Sequence, residues 1–116
     1  MEEFKIDAFD HSQGIGVIRI SGSLDLSNIG ALEATIEGFF RRGMVRLVID
    51  LEKTSFIASS GFSSLLFSLD TAKELGGDII FARATPAVRE IFEILGLGMI
   101  AVFAHNVPSG VVQLRE

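Results

Sequence analysis

The chain has 116 residues, room for one domain with its own apolar core and too few for two. Hydrophobic residues make up 48% of it and charged ones 22%, which argues against disorder, and the lack of cysteine excludes disulfides and thiolate metal or nucleophile sites. A net charge of −5, from 10 Lys plus Arg against 15 Asp plus Glu, comes with no basic cluster to neutralise phosphates, so nucleic-acid binding is not expected.

The N-terminus, MEEFKIDAFD, is acidic and unlike a signal peptide, and no apolar run reaches the roughly 18 residues of a bilayer span. The expected compartment is the cytoplasm, with no membrane partner. Phe4, Ile6 and Ala8 alternate with Lys5, Asp7 and Phe9, the pattern of a half-buried strand. Turn residues fill 10–16, and Val17, Ile18 and Ile20 form a second strand closing a hairpin and ending at Ser21–Gly22. From Ser27, the expected N-cap, the period becomes helical: Ile29, Leu32, Ile36, Phe39 and Phe40 share a face, and Gly43 follows Arg41–Arg42 as a stop. The run 45–51, VRLVIDL, reads as a strand buried on both faces. Phe62, Leu65, Leu66, Leu69 and Ala72 make a second helical stripe, ended by Gly76–Gly77. Ile79 to Phe81 is a short strand. Thr85–Pro86 opens a third helix with Val88, Ile91, Phe92 and Leu95 on its inner face and Gly96 after it. Met99 to Phe103 is the last expected strand, and the tail from His105 has room for one more short helix. The order ββαβαβαβ(α) predicts an α/β fold, a mixed central sheet with helices packed on it.

Few motifs carry chemistry. There is no dinucleotide-binding or Walker glycine pattern and no GxSxG elbow, and Gly14–Ile15–Gly16 belongs to the hairpin loop. His11 and His105 stand far apart in loops without a second ligand at metal spacing. Asp50 reads as a strand residue and Asp70 as helix surface. What remains is 54–61, TSFIASSG, between a buried strand and a helix, where sites form at the carboxyl ends of strands in open sheets. One reading is a plain cap, with Ser59 or Ser60 satisfying free N–H groups of the helix. The other is a phosphoacceptor serine whose added charge the helix dipole favours.

The ordered landmarks Ile20–Ser21–Gly22–Ser23–Leu24–Asp25, Val48–Ile49–Asp50–Leu51, Ser55–Phe56–Ile57–Ala58–Ser59–Ser60–Gly61, Leu75–Gly76–Gly77, Pro86–Ala87–Val88 and Leu95–Gly96–Leu97 resemble those of the STAS-domain anti-sigma-factor antagonists over nearly the whole chain. The resemblance implies a binding module without turnover or cofactor. Its partner would be an anti-sigma factor that is also a serine kinase; binding frees a sigma factor, phosphorylation of Ser59 ends it, and a phosphatase resets the cycle. The sequence departs from the family's D-S-S-G loop in one residue, Ala58, which stands where the family carries Asp. The resemblance makes Asp25, Phe56, Ile57, Ala58, Ser59, Ser60, Gly61 and Phe62 the candidate partner-binding residues. Phe67, off the main stripe of its helix, is an expected exposed aromatic of the kind enriched in interfaces. The rival readings are a STAS scaffold or ligand-sensing module in a larger signalling complex, without phosphorylation control, and an enzyme using Ser59 or Ser60 as nucleophile, for which no base is recognisable.

Overall fold

The computed structural model describes residues 3–115. Strands β1 (Lys5–Asp10) and β2 (Ile15–Leu24) form the expected antiparallel hairpin, with Lys5 opposite Ser21 and Asp10 opposite Gly16. The link is a tight turn at Ser12–Gly14. Helix α1 (Ile29–Arg41) then crosses to β3 (Arg46–Asp50), which lies parallel to the first half of β2, Ile15 opposite Arg46 and Arg19 opposite Asp50. Next come β4 (Thr54–Ile57), α2 (Ser59–Glu74), β5 (Asp78–Ala82), α3 (Pro86–Ile94), β6 (Val102–Ala104) and α4 (Val107–Arg115). The sheet runs β1-β2-β3-β5-β6, with β4 also on β2.

Alternation along the strands sorts the core into two layers. Ile18, Ile20, Leu47, Ile49, Ile79 and Phe81 face α1, α2 and α3, meeting Leu32, Ile36, Phe39, Leu65, Leu69, Val88 and Phe92. Ile15, Val17, Val48, Ile80 and Ala82 face the other way, onto Val107, Val111 and Leu114 of α4. This is why the run at 45–51 lacks the half-polar pattern of a one-sided strand. Each fully buried Ile or Leu contributes about 1.5–3 kcal/mol.

Three expectations are corrected. The segment 54–57, for which the sequence predicts no element between the buried strand and the helix, is β4, taking over the edge of β2 where β3 stops: Gly22 lies opposite Thr54 and Leu24 opposite Ile57. It is anchored by the buried Thr54 hydroxyl, which donates to the Ile20 carbonyl at 2.8 Å, and by the Gly22 N–H, which donates to the Lys53 carbonyl at 2.9 Å. The last strand begins at Val102 rather than Met99, because the Leu97 carbonyl takes the N–H groups of Ile100 and Ala101 and holds that stretch in a turn. Leu95 falls just past α3 and is half exposed instead of lying in the buried stripe. The short final helix is present as α4.

Candidate docking site at the Ser59 corner

The ends of β2 and β4 place two loops side by side. Leu24 and Ile57 pair in register, and the Ala58 N–H donates to the Leu24 carbonyl at 2.9 Å, so Asp25 and Ala58 are the next residues along neighbouring strands. Ser55 is an extra residue in β4, since Gly22–Ser23 of β2 face Thr54 and Phe56; the bulge re-aims the strand, and Phe56 is left 50% exposed.

Helix α2 starts here. Its N-cap is Ala58, at φ −73° and ψ 165°, not Ser59 or Ser60 as expected. The Ala58 carbonyl accepts from the N–H groups of Gly61 (2.9 Å) and Phe62 (3.1 Å). A methyl group offers no acceptor to the first-turn N–H groups, and no acidic residue lies in that turn, so the positive end of α2 is left without a side-chain cap. Ser59 is exposed and Ser60 half-buried at that end.

The remaining candidates divide by burial. Three of the candidate partner-binding residues are buried: Ile57 and Phe62 are 1% and 3% exposed, and Gly61 is buried. They support the corner from beneath. Phe62 sits edge-on to Phe92 of α3, ring centroids 4.8 Å apart. A Cβ on Gly61 would come within 2.8 Å of Ile57 Cγ2 and 3.1 Å of Leu24, so the first turn of α2 lies directly on the strand ends. Phe56, Ala58, Ser59, Ser60 and Asp25 keep some or all of their surface.

Asp25 is half-buried and builds its own turn. Its Oδ1 accepts the Ser27 hydroxyl at 2.6 Å and the Ser27 N–H at 2.9 Å. Ser27 is therefore a turn residue, and the N-cap of α1 is Asn28, whose side chain instead ties the Asp25 N–H to the Ser23 carbonyl. The Ser27 hydroxyl, then the Ser27 N–H, hold the Asp25 carboxyl below its ordinary 3.8. A lowered carboxyl contributes stability that is present above its unfolded value and is lost as pH falls through the folded one. Ser27→Ala is expected to move the Asp25 pKa up towards 3.8 in an NMR titration; an unmoved value would show that the hydroxyl is not its cause.

Sequence reasoning missed one surface residue. Leu26, next to Asp25, is 79% exposed, and the signal was an apolar residue between the turn-formers Asp25 and Ser27. It also missed the support behind the corner. Asp50, 3% exposed, is held by Arg83 through two hydrogen bonds (2.7 and 3.2 Å) and by Arg19 at 3.3 Å, and Arg83 also meets Glu52 at 3.1 Å. Asp50 Oδ1 accepts the Glu52 N–H at 3.2 Å, so this cluster shapes the turn that delivers β4.

Among the described residues neither histidine hydrogen-bonds to Ser59, and His11 is engaged by Ser12. His11 precedes β2 and so lies at the far end of that strand, about 30 Å from Leu24 at 3.3 Å per residue. His105 follows β6, at the opposite edge of the sheet from the β1–β2 hairpin. Among the described residues no three His, Cys, Asp or Glu gather as metal ligands, and no helix is long and apolar enough to cross a membrane.

The family model of the STAS domain matches residues 8–108. The chain belongs to the STAS domain family. This STAS domain is 32% identical over 83 residues to an anti-sigma F factor antagonist of Lysinibacillus sphaericus, covering 71% of each chain. Among solved structures, an anti-sigma factor antagonist of Mycobacterium paratuberculosis superposes with a TM-score of 0.85 at 24% identity, over 98% of this chain and 96% of the other. Bacillus SpoIIAA, described as an anti-sigma factor antagonist, superposes in its unphosphorylated form with a TM-score of 0.80 at 24% identity, over 97% and 96% of the two chains. Its phosphorylated form gives 0.71 at 23% identity, over 98% and 100%. At these identities the structural likeness speaks for the fold, which is the mixed α/β arrangement expected of the sequence.

Proposed function

We propose that this STAS domain is an anti-sigma-factor antagonist that docks its partner at the Ser59 corner and is released when Ser59 is phosphorylated. The observation that carries the reading is the placement of an exposed serine at the uncapped N-terminus of α2, beside the exposed side chains of Phe56 and Leu26. Relatives bearing the antagonist name, and a SpoIIAA structure in a phosphorylated form, support the same role. Apolar side chains flanking a small polar patch suit a protein surface, and a phosphate set among them adds about −2 of charge that a desolvated interface does not tolerate. The serine oxygen would attack the γ-phosphorus of ATP held by the kinase, ADP leaving and the hydroxyl proton passing to a kinase base. The domain supplies only the acceptor.

Ala58 sharpens this reading. An Asp at the N-cap would occupy the first-turn N–H groups and stabilise α2 by about 1 kcal/mol. With Ala there, no side chain competes with a phosphate on Ser59 for the positive end of α2, and no carboxylate repels it.

The test is to mix the protein with the anti-sigma factor encoded in the same genome, with and without ATP, and to follow complex formation and phosphate on Ser59 by mass spectrometry. A complex is expected without ATP, and phosphate on Ser59 with it. Ser59→Ala should bind and stay unmodified, while Ser59→Asp should bind on the order of tenfold more weakly or worse. A complex without phosphate would sink the switch and leave the antagonist; no complex would sink both.

A further inference from the structure

Phe67 is 72% exposed on α2, an unusual position for a large aromatic in a domain whose core is otherwise closed. Its ring borders a cleft of about 420 Å³ between α1 and α2. The floor of the cleft is Ile36, 3% exposed, with half-buried Phe40 beside it. The opposite rim is Glu33 and Glu37, one turn apart on α1 and both exposed. Glu33 Oε2 accepts the hydroxyl of the buried Ser64 at 2.9 Å, which fixes α1 against α2 and holds the rim in place. Among the described residues no Lys or Arg lines the cleft, and the nearby Arg41 is already paired to Glu37 at 2.7 Å.

Both helices cross between parallel strands on the same face of the sheet, so they run side by side in the same direction. A trough between parallel helices accepts a third helix about 10 Å across. Its chemistry is apolar in the middle and acidic on one side. That complements an amphipathic helix with Lys or Arg beside its apolar stripe, and it repels a phosphate-bearing ligand such as nucleic acid or an anionic headgroup.

The groove is continuous with the Ser59 corner. Ser59, Ser63 and Phe67 follow at four-residue intervals, all exposed, and so form one row along α2 with about 12 Å between its ends. We infer that the protein partner received at the Ser59 corner also lays an amphipathic helix into the α1–α2 groove, its apolar face on Phe67 and Phe40 and its basic residues against Glu33 and Glu37. This inference rests on the reading of the Ser59 corner as an anti-sigma-factor docking site. It adds the second half of that surface and the class of element that fills it.

The test measures the affinity of the purified anti-sigma factor for single variants by titration calorimetry, at low and high salt, with circular dichroism to show that each variant is folded. Phe67→Ala is expected to weaken binding at least about tenfold, as for an aromatic anchor. Glu37→Lys is expected to weaken it and to flatten its salt dependence. Met99→Ala, at a 97% exposed side chain in the turn before β6, should leave binding unchanged. Wild-type binding that both Phe67→Ala and Glu37→Lys leave within about twofold would overturn the groove and spare the Ser59 corner. A loss at Met99→Ala in place of Phe67→Ala would overturn it in favour of the other apolar surface. If the wild type forms no complex at all, the corner and the groove fall together.

Discussion

A Gly77→Ala variant is expected to lose about 3 kcal/mol of stability and about 10 °C of melting temperature. Helix α2 ends in a tight reversal: Gly76 takes φ +87°, its N–H donates to the Lys73 carbonyl at 3.1 Å, and the Gly77 N–H donates to the Ala72 carbonyl at 2.7 Å. The chain then passes at once into β5, where the Asp78 N–H donates to the Val45 carbonyl at 3.0 Å. A Cβ on Gly77 would overlap the Val45 carbonyl oxygen and lie 2.5 Å from its carbon. Both are backbone atoms fixed by the sheet, so no side chain can swing aside. Urea denaturation and calorimetry would measure the loss. Gly38→Ala is the matched control, because the Cβ there meets nothing within 4 Å and helix propensity should raise stability by about 0.5–1 kcal/mol. A Gly77→Ala protein as stable as wild type would mean that α2 does not return to the sheet through this contact.

Arg83→Ala is expected to cost about 2–3 kcal/mol, below the 3–5 of a fully buried broken pair because Arg83 is 34% exposed and Arg19 still faces Asp50. The carboxylate of Asp50 would lose both hydrogen bonds from the guanidinium while staying buried. Arg83 also holds φ +55°, a left-handed conformation that costs a non-glycine residue about 1–2 kcal/mol. That fact separates side chain from backbone. Arg83→Gly loses the same ion pairs but relieves the strain, and should be more stable than Arg83→Ala by about 1 kcal/mol. Equal stability of the two would mean that the backbone is unstrained there. Because Asp50 also shapes the turn before β4, Arg83→Ala should weaken partner binding at the Ser59 corner even though Arg83 belongs to a different turn.

The parts of the fold with a strong period were legible in the residues. The stripe Leu32, Ile36, Phe39 is the buried face of α1, and the unbroken apolar run 47–49 marks a strand covered on both sides. Short pieces were not. Four residues, Thr54–Ile57, show no alternation that distinguishes a strand from a loop; they are a strand because β2 is longer than β3 and leaves an open edge. The expected caps differ from the observed ones by one residue at α1, and by one or two at α2, where Ser59 or Ser60 is the candidate. Ser27 and Ser59 have the favoured chemistry, but the backbone turns helical one residue later at α1, after Asn28, and one residue earlier at α2, after Ala58.

By itself the sequence determined the class of fold, the serine pair at a strand-to-helix turn, and the one-residue departure at Ala58, because periodicity, glycine stops and local motifs are properties of neighbouring residues. Tertiary structure alone decided which candidates are surface. Ile57 and Phe62 are as apolar as Phe56, yet they are buried while Phe56 stands exposed, since a bulge in β4 turns its side chain outward. It also brought Asp50 to Arg83 across 33 residues and set Phe67 opposite Glu33 and Glu37. Such pairings depend on which strand edges and helix faces meet, and no local pattern in the chain encodes that meeting.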